Sequence, residues 1–200
     1  INYTSQNGDW VLLITKSTVL NDLIIFKQSG LPVVAPPDTG RINLQTPVNC
    51  ATGSPVAIDM TGIPAGVKRI IVSFDGVSTN GTSNLLVQLG DAGGIENTGY
   101  AAVACRDTGA SRTARTAGFI LTDVIGAAAA LQYGSLILTL LDASTFTWAA
   151  NGQLVETTTP LGNHSAGSKS LSEQLTQIRL TTVGGANTFD AGKINISYED

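Results

Sequence analysis

Two alternating runs constrain this chain more than any other feature. From residue 67 to 77, Ile70, Val72 and Phe74 fall on one side and Arg69, Ile71, Ser73 and Asp75 on the other, the period of two expected of a strand with one buried face. Residues 85–89 repeat the pattern, with Leu85, Val87 and Leu89 opposite Leu86 and Gln88. The polar stretch between them is centred on Asn80 and Gly81, residues that tolerate positive φ, so the two runs read as an antiparallel hairpin with a long loop.

Similar runs recur at 55–60, 100–105, 117–122, 134–141, 145–149, 153–157, 177–182 and 193–198, with turn signals such as Asn151-Gly152 and Gly184-Gly185 between them. The glycine-rich residues 90–94 lack the lysine of a phosphate-binding loop and read as another turn. Charged residues are only 13% of the 200, which disfavours helix, and the alanine-rich 122–132 is the one expected helical turn. The expected fold is an all-β antiparallel β-sandwich, jelly-roll-like, over 46–200. Residues 1–45 read as an N-terminal arm or connector packed on a neighbouring subunit, or else as the first strands of the same sandwich. They hold β-prone runs at 9–15 and 22–26, then a proline-rich 30–40 that suits a linker or edge. Starting at Ile1, the chain reads as a processed product or a segment of a longer protein.

A net charge of −4 argues against a nucleic-acid partner, and apolar runs such as 11–14 and 126–131 are too short for membrane insertion. The two cysteines, Cys50 and Cys105, make neither a zinc site nor a disulfide framework; they read as buried free thiols, with a single bridge as the alternative. No nucleophile elbow is present, the single histidine lies in a loop-like Gly162-Asn-His-Ser-Ala-Gly167, and no catalytic site, metal site or cofactor is expected. Scattered carboxylates leave a glycoside-cleaving enzyme as an alternative. Binding is better supported. Arg106, Arg112 and Arg115 fall in a small-residue stretch read as a flexible loop, and guanidinium forks suit phosphate or carboxylate groups on a glycan. Tyr100, Asn163 and His164 are the next candidates. The rings of Tyr100, Trp148 and Tyr133 read as aromatic faces for a sugar, although Trp148 shares a strand face with Phe146 and reads as core.

Two long blocks carry a resemblance. Gly62-Ile-Pro-Ala-Gly-Val-Lys-Arg-Ile70 with residues 74–83 and 86–100, and Gln177-Ile-Arg-Leu-Thr-Thr182 with residues 183–199, resemble the C-terminal domains of bacteriophage and prophage tail-fibre proteins. They bracket residues 46–200. Gly66 stands where that pattern often has an aromatic residue, and 1–45 and 101–170 match weakly or not at all. The resemblance implies a virion tail component, assembled in the cytoplasm of the bacterial host. It would be a homotrimer joined to other tail proteins and in contact with the bacterial surface; with no catalytic motif in the sequence, the expectation is a non-enzymatic protein that binds surface polysaccharide or lipopolysaccharide. It implies no particular receptor-contacting residues; shared frameworks leave ligand choice to loops. The alternatives are a structural baseplate or head fibre that binds only virion proteins, and a surface-polysaccharide depolymerase.

Overall fold

The computed structural model describes residues 42–199 except 110, 111 and 159, and before them the backbone of three short strands. The chain divides into two compact units, Ile1–Gly40 and Arg41–Asp200. In the first, β1 (Asn2–Thr4), β2 (Trp10–Thr15) and β3 (Leu23–Phe26) form an antiparallel sheet in that order. β2 and β3 fall on the two β-prone runs of the sequence, whereas the proline-rich 30–40 lies outside the described residues.

The second unit is an all-β antiparallel sandwich. Its strands are β4 (Asn43–Leu44), β5 (Val48–Asn49), β6 (Ala57–Thr61), β7 (Arg69–Thr79), β8 (Leu85–Asp91), β9 (Gly94–Ile95) and β10 (Ala101–Arg106). They continue as β11 (Arg112–Arg115), β12 (Phe119–Ile120), β13 (Gln132–Asp142), β14 (Thr147–Glu156), β15 (Leu161–Ser170), β16 (Gln177–Thr182) and β17 (Phe189–Glu199). The larger sheet runs β11-β10-β15-β14-β13-β7-β17-β4, with β5 also on β17; the smaller runs β12-β8-β16-β6, with β9 on β8. Alternation explains the core. Ile70, Val72, Phe74, Leu136, Leu138, Leu154, Ile194 and Ile196 of the larger sheet are buried, as are Leu85, Val87, Leu89, Ile178, Leu180 and Ile58 of the smaller. Burying these side chains supplies the main stabilisation.

The structure corrects the opening hairpin. β7 pairs with β13 and β17, and β8 with β12, β16 and β9, so the two runs belong to different sheets and 80–84 arches between them. β8 is buried along its whole length and lies inside its sheet, with β12 and β9 on one edge and β16 on the other. The arch is tied to the segment before β17: Asn80 Oδ1 accepts from the Thr188 N–H (3.0 Å) and Asn187 Oδ1 from the Ser83 N–H (3.1 Å). The Asn-Gly signal thus marks a crossover loop whose Asn80 and Asn84 side chains are engaged with the backbone of other segments.

Three further expectations give way. Residues 122–131 form an irregular loop, and no helix occurs among the described residues. Asn151 and Gly152 lie inside β14, not at a turn; a Cβ at Gly152 would sit 2.3 Å from Ser165 Oγ on the next strand, so close packing explains the glycine. The small residues 162–167 are the middle of β15, between β10 and β14, which places His164 on a strand instead of a loop. The turn at Gly184-Gly185 is as expected, both with positive φ. Cys50 and Cys105 are free thiols; Cys50 is buried and Cys105 half-buried.

Candidate functional site

The arginine-bearing stretch is not a free loop. Arg106 ends β10, Arg112 and Arg115 bracket β11, and the two strands pair antiparallel at the edge of the larger sheet. Because neighbours on a strand point to opposite faces, β-structure divides the six candidate residues into two groups. Cys105 lies opposite both Arg112 on β11 and His164 on β15, so Arg112 and His164 share the outer face. Tyr100, Arg106 and Asn163 turn inward, and Arg115 lies opposite the buried Ala102.

The inward residues are structural. Arg106 Nη2 donates to the Val124 carbonyl (2.7 Å) and lies 4.0 Å from Glu156 Oε2; its side chain is 16% exposed. Asn163 is fully buried, and its Oδ1 accepts from the Asp123 N–H (3.0 Å). Glu156 Oε2 also accepts from the Gly126 N–H (3.2 Å), and Thr113 Oγ1 donates to Asp123 Oδ1 (2.5 Å). Together these bonds strap the 122–131 loop onto the end of the larger sheet, where unpaired buried polar groups would be costly. Arg115 Nη1 donates to the neighbouring Ala114 carbonyl (2.9 Å) and lines an open depression at the β10–β11 edge.

Tyr100 is also core, which corrects the reading of its ring as a sugar platform. It is 2% exposed, and its ring packs edge-on against Phe119 with centroids 5.0 Å apart. Its hydroxyl accepts from the Leu89 N–H (2.6 Å) and donates to the Glu96 carbonyl (2.9 Å). Burial pushes its ionisation well above the usual tyrosine range. Beside it sits an ionic cluster that sequence reading missed. The Lys169 ammonium, on a side chain 6% exposed, pairs with Glu96 and lies 5.4 Å from the Tyr100 ring centroid. Asp91 accepts from Ser172 Oγ (2.6 Å), the Glu173 N–H (3.1 Å) and the Gly93 N–H (2.8 Å). The Ser172 hydroxyl, with the Gly93 and Glu173 amides, holds Asp91 below the usual carboxylate range against the opposing effect of burial. For Glu96 burial acts upward, but Lys169 and Ser172 outweigh it and the net shift is downward. The only sequence signal was that Lys169 interrupts a run of small residues.

The outward group is the candidate binding surface. His164 Nε2 lies 2.6 Å from Asp107 Oδ1, both side chains half exposed. The Asp107 carboxylate rests on Gly162, where a Cβ would come within 2.0 Å of Oδ2. From His164 the register continues to Gln153 on β14, Ser135 on β13 and Ser73 on β7. These side chains form a polar row with Arg112 at one end; toward β17 the same face also carries the Arg69–Glu199 ion pair and the paired positions Asp75 and Lys193. The row offers hydrogen-bond donors and acceptors and, in Arg112, a cation at its β11 end.

Elsewhere a cavity of about 230 Å³ lies at one end of the sandwich, with Val67, Leu140, Phe146, Trp148 and Leu175 among its walls. Trp148 is 3% exposed and belongs to the core. Among the described residues no group of three or more His, Cys, Asp or Glu is placed to hold a metal ion. No protein-family model matches the chain, and no curated protein or solved structure matches it.

Proposed function

We propose that the sandwich is the receptor-binding domain of a bacteriophage tail fibre, attaching the virion without catalysis to a bacterial surface glycan. Two things support this reading: the tail-fibre resemblance of residues 62–100 and 177–199, and the outward polar row that includes Arg112, His164 and Gln153. The row is the observation that carries it. Its groups are solvent-facing and mounted on a rigid sheet, so the surface is organised before the ligand arrives. Each contact is weak, and a homotrimeric fibre present in several copies would convert weak contacts into firm attachment through effective concentration.

Binding of the purified chain to bacterial cells and to their extracted surface polysaccharide tests the proposal. Retention of the chain, with the polysaccharide unshortened, is expected; shortened glycan would point to a depolymerase, and no retention on any candidate host would reject attachment. A second reading has its own observation. Ile42 and Leu44 are 64% and 73% exposed beside β17, an apolar edge that suits a virion protein as partner. Electron microscopy separates the two, since attachment requires the chain at the distal tip of the tail.

A further inference from the structure

The polar row is longer than a single-sugar site needs. Arg112, Cys105, His164, Gln153, Ser135 and Ser73 are successive register partners on β11, β10, β15, β14, β13 and β7. At a strand spacing of about 4.8 Å the row spans roughly 24 Å, following the twist of the sheet. The side chains of Arg112, Gln153, Ser135 and Ser73 have no hydrogen-bond partner among the described residues. Asn195, the next position on β17, is already engaged, donating to the Gln45 carbonyl (2.8 Å), so the row of unspent groups ends at Ser73.

A second row runs beside it. Ala114, Val103, Ala166, Asn151, Ile137 and Ile71 are register partners on the same six strands, and only Asn151 among them is polar. Val103 and Ile137 are 44% and 39% exposed, so this row offers apolar surface to a ligand. The pairing of a polar with an apolar track holds across the strands and not along them: on β14 the outward residues are Thr147, Ala149, Asn151, Gln153 and Val155.

We infer that this face binds a linear polysaccharide laid across the strands, about one sugar per strand, with an anionic substituent seated over Arg112. The inference rests on the attachment reading and specifies its ligand. A pyranose chain has a hydroxyl edge and a C–H face and advances by about one strand spacing per sugar, which matches two parallel tracks of these characters. A polypeptide adding to a sheet requires a free strand edge, which this face is not. Nucleic acid requires several cations, whereas the row holds a single arginine and no lysine; Arg112 suits one carboxylate or phosphate at the β11 end.

The experiment uses the full chain, an array of bacterial surface polysaccharides and size-fractionated fragments of one that binds. Affinity is expected to rise with fragment length until about six sugars and then level off. Ser73→Ala, at the far end, should weaken binding about 3-fold to 10-fold for long fragments and leave short ones unchanged. Arg112→Ala should lose about 10-fold on the acidic chain and nothing on the same chain after its acidic group is removed or reduced. If one- or two-sugar fragments bind as tightly as long ones and Ser73→Ala is silent, the extended track is wrong while attachment stands. Failure to bind any polysaccharide, in a chain that still adsorbs to cells, overturns the glycan and its track. Failure to bind cells as well removes the attachment reading. Sedimentation of the same variants is expected to be unchanged; dissociation of an oligomer by Ser73→Ala or Arg112→Ala would assign the face to another copy of the chain and overturn the inference.

Discussion

His164 and Asp107, 57 residues apart in sequence, meet side chain to side chain with Nε2 and Oδ1 2.6 Å apart on the outer face of the larger sheet. Asp107 can lie there because Gly162 leaves room for its carboxylate. Gly162→Ala should displace Asp107, an exposed and flexible end, with a stability change within about 0.5 kcal/mol. Glycan binding should fall to the level of Asp107→Ala. By contrast, Gly152→Ala places a Cβ against the buried Ser165 and Leu136, and overpacking should cost about 1–3 kcal/mol. Thermal melts of the two variants check the difference.

Tyr100→Phe leaves the Leu89 N–H and the Glu96 carbonyl without the hydroxyl that serves both. The expected loss is about 1–3 kcal/mol in urea unfolding, with the denaturant slope unchanged. A sugar-platform role predicts the reverse, intact stability and weakened binding.

Acid should unfold the domain partly through the Asp91–Glu96 cluster. Both carboxyls are held below their usual range in the folded state. Each therefore stabilises the fold above its unfolded-state pKa, and that contribution is lost as the pH falls through the ordinary carboxylate range and below. Asp91→Asn should lower the melting temperature at pH 7, and its gap from the wild type should close toward pH 3. Lys169→Met should cost about 1.5–3 kcal/mol at pH 7, since it leaves the partly exposed Glu96 without its charged hydrogen-bond donor.

Thiol labelling should proceed in two phases. Cys50 is fully buried, and burial pushes its thiol up to about 11. Cys105 is half-buried in the outward row and should react first in the native state, with Cys50 following only on unfolding. A bulky adduct on Cys105 should abolish glycan binding and leave the melting temperature within a few degrees.

Period-two alternation made the strands legible because it is local: it marked Ile70, Val72 and Phe74 as inward, and each is buried. Strand partnership is not local. Nothing between Thr79 and Leu85 says that the next strand joins the other sheet; that depends on β13, β17 and β16, which follow much later. The site shows the same division. Arg112 and His164 were identifiable as residue types, but their common face follows from the shared partner Cys105. Arg106 and Asn163 looked equally available, yet alternation turns them inward, where the 122–131 loop uses their polar groups. Ser73, Ser135 and Gln153 carry no signal in sequence, because a lone polar residue on a strand is ordinary and only the register aligns them.

The most direct test is adsorption competition. The purified chain is added with the virus to candidate host cells, and unadsorbed particles are counted against the same concentration of the Arg112→Ala, Gln153→Ala double variant. The wild-type chain is expected to block adsorption, and the equally stable double variant is not. Equal blocking by both would contradict the outward row as the receptor surface, and blocking by neither would contradict attachment itself.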